Sequence, residues 1–112
     1  MAGTTREQLL AAARAHLDEH GLEGLTLRAI ARRAGLSHGA PLRHFPGVAH
    51  LLAAVAARGF RELHATVAAA VGAAGGDAAD RLAAAALGYV RFALANPGVF
   101  ELMFRHERHA AR

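Results

Sequence analysis

The sequence predicts an all-α fold: a three-helix helix-turn-helix unit, a long connecting helix, and further helices behind it. Three observations carry this. Apolar residues recur at i, i+3 and i+4 along most of the 112 residues, and no stretch alternates as a strand would. The 54% hydrophobic content is largely alanine, the best helix former and a small contributor of buried area. Finally, helix-capping residues and glycines divide the chain at regular points.

Thr4 and Thr5 stand before the first helix, each with a Glu or Gln three residues on (Glu7, Gln8), so either suits a capping box. The helix is expected over 6–20, with Leu9, Leu10, Ala13 and Leu17 inward and Gly21 after its last turn. Thr26 is placed to cap a second helix over 27–34, with Leu27, Ile30, Ala31 and Ala34 facing the core. Gly35 suits the left-handed conformation of a sharp stop, Leu36 fills the corner, and Ser37 is expected to cap a third helix that ends near Phe45. Pro41 then falls at the fourth helical position, where it removes one backbone bond without breaking the helix. After Pro46-Gly47, the stripe Leu52, Val55, Ala56, Phe60, Leu63, Val67 and Val71 predicts a long helix over 48–71. An Ala/Gly linker is expected over 72–76. Asp77 or Asp80 caps a fifth helix that reaches Ala95, and Asn96-Pro97-Gly98 stops it. A last helix starts at Val99.

Charge narrows the function classes. The formal net charge is +4 and all 13 cations are arginine. No Asp or Glu occurs between Glu23 and Glu62, a window holding Arg28, Arg32, Arg33, Arg43, Arg58 and Arg61. A positive block centred on a compact helical motif points to a polyanion partner. The absence of cysteine excludes disulfides and thiolate chemistry and fits a reducing cytoplasm. No secretory signal is visible, and the apolar runs fall far short of the roughly 20 residues of a membrane span. No catalytic constellation stands out: Gly72-x-x-Gly75-Gly76 lacks the preceding strand and following Lys of a phosphate loop, so no enzyme and no cofactor is expected. His16 and His20 (i, i+4), and His106 and His109 (i, i+3), lack a third ligand, so no metal site is expected.

A helix-turn-helix places its second helix in the major groove of DNA, with its first residues on the base edges. Here those residues are Ser37, His38, Gly39, Ala40, Leu42, Arg43 and His44. His38 and Arg43 supply donors for guanine or phosphate, Ala40 suits a thymine methyl, and Gly39 permits close approach. Thr26 and Ser37 suit phosphate binding at helix starts, and Arg28 and Arg6 suit phosphate clamping. His38 and His44 would raise DNA affinity as pH falls toward about 6.

The run from Thr5 to Phe45 resembles the DNA-binding domain of the TetR family of bacterial transcriptional regulators. The resemblance rests on the opening helix, on Leu25-Thr26, on Ile30-Ala31-x-x-Ala34-Gly35-Leu36-Ser37, and on Gly39 with His44-Phe45-Pro46. Tyr89-Val90-Arg91-Phe92-Ala93, Asn96-Pro97 and Phe100-x-Leu102-Met103-Phe104 resemble the start of a regulatory domain from one branch of that family. The resemblance implies a helix-turn-helix domain over 1–47, a connecting helix over 48–72, and the truncated start of a ligand-binding and dimerisation domain over 77–112. It implies a cytoplasmic homodimer on double-stranded operator DNA, away from any membrane. It also implies a repressor released by an unknown small-molecule effector, with Tyr89, Phe92, Phe100, Met103 and Phe104 contributing to the ligand pocket. Two positions depart from the family: Leu42 replaces a Tyr, and Val48 replaces a Lys that contacts phosphate. Losing one cationic phosphate contact flattens the salt dependence of binding by about one unit of slope. These departures keep an alternative in view: a helical protein-interaction module without DNA binding.

Overall fold

The computed structural model describes residues 3–110, with side chains up to Arg105. The described residues form six helices: α1 (Thr5–His20), α2 (Leu27–Arg33), α3 (Ala40–His44), α4 (Val48–Ala74), α5 (Ala78–Ala95) and α6 (Pro97–Ala110). There is no strand among them. His106 and His109 lie beyond the described side chains.

Local chemistry sets most boundaries. Thr4 caps α1, its hydroxyl accepting the Glu7 amide at 3.2 Å, and Thr26 caps α2 by accepting the Ala29 amide at 3.1 Å. Gly35 takes φ +73°, which an L side chain disfavours, and turns the chain out of α2. Asp77 and Asp80 act together. Each side chain accepts the other's backbone amide, a reciprocal capping box at the start of α5.

Three expectations are corrected. Ser37 does not cap α3, which starts three residues later, after Gly39, with Pro41 in its first turn. The cause is Pro41: it has no amide to offer the Ser37 carbonyl, which instead takes the Ala40 amide at 3.1 Å in a tight turn. Gly72 does not begin a linker but lies inside α4, which runs on to Ala74. Alanines on either side hold the helix until Gly75, at φ +60°, ends it. The last helix starts at Pro97, not Val99, because a first-turn proline gives up only an amide that has no partner there.

One continuous core runs through both halves of the chain. Leu9, Leu17, Ile30, Leu51, Val99 and Met103 are essentially inaccessible, and burying each side chain contributes about 1.5–3 kcal/mol. α4 and α5 form an antiparallel pair in close contact, with the Gly88 position 3.2 Å from the Ala70 methyl when a Cβ is placed on it. α6 bends away from α5 by 106° and returns across α4 and α1. Two glycines permit that return: a Cβ at Gly59 would lie 2.7 Å from Met103 Sδ, and one at Gly98 would meet the Leu17 carbonyl. α1 is thus held from both sides, by α2–α3 and by α4–α6. Among the described residues, no single helix is long and apolar enough to cross a membrane.

Candidate nucleic-acid interface

The α2–α3 pair has a sharply divided surface. Ile30 and Ala31 of α2 and Ala40, Pro41 and Phe45 around α3 are buried, which fixes the short third helix against the body. Outward stand Thr26, Arg28, Ser37, His38, Gly39, Leu42, Arg43 and His44, all exposed. Leu42 is 62% exposed, so it contributes little to the fold and presents an apolar side chain beside Arg43. Ala40 departs from its expected place: at 8% exposure it packs inward and offers no methyl contact at the surface. Proline makes α3 start late, and this brings Ala40 and Pro41 onto the inner side of the first turn. The Thr26 hydroxyl oxygen is committed to its cap, leaving its proton as the group available to a ligand.

The arginines separate by partner. Arg28, Arg32 and Arg43 are exposed and make no ion pair among the described residues. Arg33 is bound in a two-pronged pair with Glu19: Nη1 donates to Oε1 at 3.3 Å and Nη2 to Oε2. The hydrogen bond between them holds the Glu19 carboxyl below its usual range and raises the Arg33 guanidinium above its own, with desolvation working the other way on both. Arg33 therefore braces α2 against α1. Arg6 lies over the Phe45 ring, 5.4 Å from its centre, and ties the first turn of α1 to the end of α3.

A second set of contacts binds α1, against which this surface packs, to the rest of the molecule, and nothing in the local sequence pattern signals it. Arg14 pairs with Glu62 of α4 through Nη1 and donates from Nη2 to Asn96 Oδ1 at 2.8 Å. Asn96 in turn donates to the Phe92 carbonyl at 3.0 Å. One half-buried guanidinium thus links α1, α4 and the α5–α6 corner across 82 residues of sequence. His16 is held by the Glu23 carbonyl, 2.7 Å from Nε2.

The five residues expected at a ligand pocket divide in two. Phe92 and Met103 are buried in the core. Tyr89, Phe100 and Phe104 cluster with Phe60: Phe60–Phe104 and Tyr89–Phe100 meet edge to face and Phe100–Phe104 is tilted, with ring centres 4.7–5.7 Å apart. A groove does exist, between α1 and α4, and none of these five lines it.

A brace helix, a glycine-turned helix pair and an outward basic face define a helix-turn-helix domain of the regulator type. Residues 9–55 match the family model described as bacterial regulatory proteins, tetR family. The chain is similar to a solved structure of a protein of unknown function from Rhodococcus sp. RHA1, with 45% identity and a TM-score of 0.83. That match covers 92% of this chain and 53% of the other. It also shares its fold with a protein from Lactobacillus plantarum described as a "putative transcription regulator", at 16% identity and a TM-score of 0.65, covering 97% of this chain and 61% of that one. No curated protein matches. Over residues 9–55 the chain thus carries a helix-turn-helix domain of the tetR family of bacterial regulatory proteins. It spans between half and two thirds of the length of these two solved structures.

Proposed function

We propose that the chain is a DNA-binding transcriptional regulator, a ligand-responsive repressor in the cytoplasm that binds double-stranded operator DNA as a homodimer. The observation that carries this reading is the exposed α2–α3 face: Arg28, Arg32 and Arg43 without acidic partners among the described residues, over a core that fixes α3 in place. In this reading Arg43 and His38 read base edges, Leu42 contacts a thymine methyl or sugar, and Thr26, Arg28, Ser37 and His44 position the phosphates. Gly39 allows the backbone to come close. Residues 1–47 act as the reading domain and 48–72 as the connecting helix. Residues 77–112 begin the regulatory domain, where Tyr89, Phe92, Phe100, Met103 and Phe104 contribute to an effector pocket.

A gel-shift series on the DNA flanking the gene, from low to moderate salt, tests this. Retardation that falls steeply with salt and exceeds that on scrambled DNA supports it. No retardation at low salt, beyond that of an acidic control protein, overturns it.

A second reading has its own observation. α5 leaves Leu82, Val90 and Leu94 at least half exposed on one flank, with Leu87 and Tyr89 beside them. A helical interaction module without DNA binding would use that face. Loss of self-association or partner capture on Leu82→Arg, in a protein that does not shift DNA, supports the module over the regulator.

A further inference from the structure

We propose that the groove between α1 and α4 binds a small zwitterion, a molecule carrying one carboxylate and one ammonium on a short apolar body. The groove holds about 320 Å³, within the roughly 300–1,000 Å³ of small-molecule sites. Its floor is apolar: Leu10 and Val55 close it from below, and the short side chains of Ala11 and Ala15 leave the space open. Its walls carry two charges of each sign, Arg14 and Arg58 against Asp18 and Glu62.

Pairing within these walls is incomplete. Arg14 and Glu62 satisfy each other across the groove, and Asn96 also holds the Arg14 guanidinium, so the two walls are held together before a ligand arrives. Half-buried Arg58 and exposed Asp18 make no ion pair with each other or with any described residue. A plain anion would meet Asp18 and Glu62, and a plain cation would meet Arg14 and Arg58. A zwitterion gives Arg58 a carboxylate and Asp18 an ammonium while its methylenes cover the apolar floor. The groove contains no residue of the α3 face and none of the aromatic cluster, so its binding chemistry stands apart from the DNA reading. Its walls belong to α1 and α4, so an occupant would add to the link that Arg14 already makes between these helices.

Calorimetric titration of the full chain tests this with 6-aminohexanoate and L-leucine as probes. Hexanoate and hexylamine serve as controls that each lack one charge. At least one zwitterion should bind, and both controls should bind about tenfold or more weakly, the expected effect of losing one charge-assisted contact. Arg58→Ala and Asp18→Ala should each weaken binding by a similar factor at an unchanged unfolding midpoint. Ala15→Phe, which fills the open space of the groove, should abolish binding and leave the helical spectrum intact. Absence of heat from both zwitterions overturns the proposal. So does hexanoate binding as tightly as 6-aminohexanoate, or binding that survives both charge removals. None of these outcomes bears on whether the chain binds DNA.

Discussion

Gly98→Ala is the sharpest probe of how α1 of the helix-turn-helix domain is held to the later helices. A Cβ added at Gly98 would overlap the Leu17 carbonyl oxygen and lie 2.7 Å from its carbonyl carbon and 3.2 Å from the Asp18 nitrogen. Favourable contact of carbon atoms begins near 3.5 Å, so α6 must retreat from α1 by about an ångström. Both sides are backbone, and no rotamer change relieves the overlap. Overpacking of this kind costs about 1–3 kcal/mol, and the upper half applies because Val99 and Met103, both fully buried, move with Gly98. At about 4 °C per kcal/mol for a domain of this size, a loss of about 2–3 kcal/mol lowers Tm by roughly 8–12 °C. Gly72→Ala is the matched control. Gly72 lies inside α4 with nothing within 4 Å of an added Cβ, so alanine should raise stability by about 0.5–1 kcal/mol. Urea and thermal unfolding followed at 222 nm give both values. A Gly98→Ala protein as stable as wild type would refute the α1–α6 packing.

Thr26→Ala should cost about 1 kcal/mol through the lost cap of α2, and Thr26→Ser should restore most of it, read from urea midpoints. Glu19 titrates below its ordinary value because of Arg33, so its pairing stabilises the fold above the ordinary carboxylate range and is lost as pH falls through the depressed value. Glu19→Gln should therefore flatten the decline in unfolding midpoint below about pH 4.5 and leave its shape near neutrality unchanged, the reference carboxylate value setting that boundary. Fluorescence anisotropy on duplex DNA should separate two arginines. Arg43→Ala loses about 1–3 kcal/mol and relaxes preference at one base pair, whereas Arg28→Ala weakens all sequences alike and reduces the salt slope by about one.

The legibility of the chain follows the range of each interaction. Caps and stops are short-range, so Thr26 and Gly35 could be read from spacing alone, whereas spacing left Thr4 beside Thr5 and Asp77 beside Asp80 as alternatives. Ser37 misled because its fitness as a cap depends on Pro41, four residues on, which withdraws the amide that would complete the turn. Gly72 misled because a glycine among alanines lacks the strength to end a helix. The inward turn of Ala40 followed from the late start of α3. The hardest features were the long-range ones. Nothing near Arg33 announces Glu19, and nothing near Arg14 announces Glu62 or Asn96, because those pairs exist only once α1 has packed. The same packing isolates Arg58 and Asp18 in a shared groove.

Amide-resolved NMR during titration with the duplex flanking its gene locates the face of this chain that meets DNA. Amides of Thr26–Arg28 and of Ser37–His44, Pro41 excepted, should shift in a salt-sensitive way while those of Leu82–Leu94 stay in place. Shifts confined to Leu82–Leu94, with α3 silent at low salt, would contradict a DNA interface on the α2–α3 face.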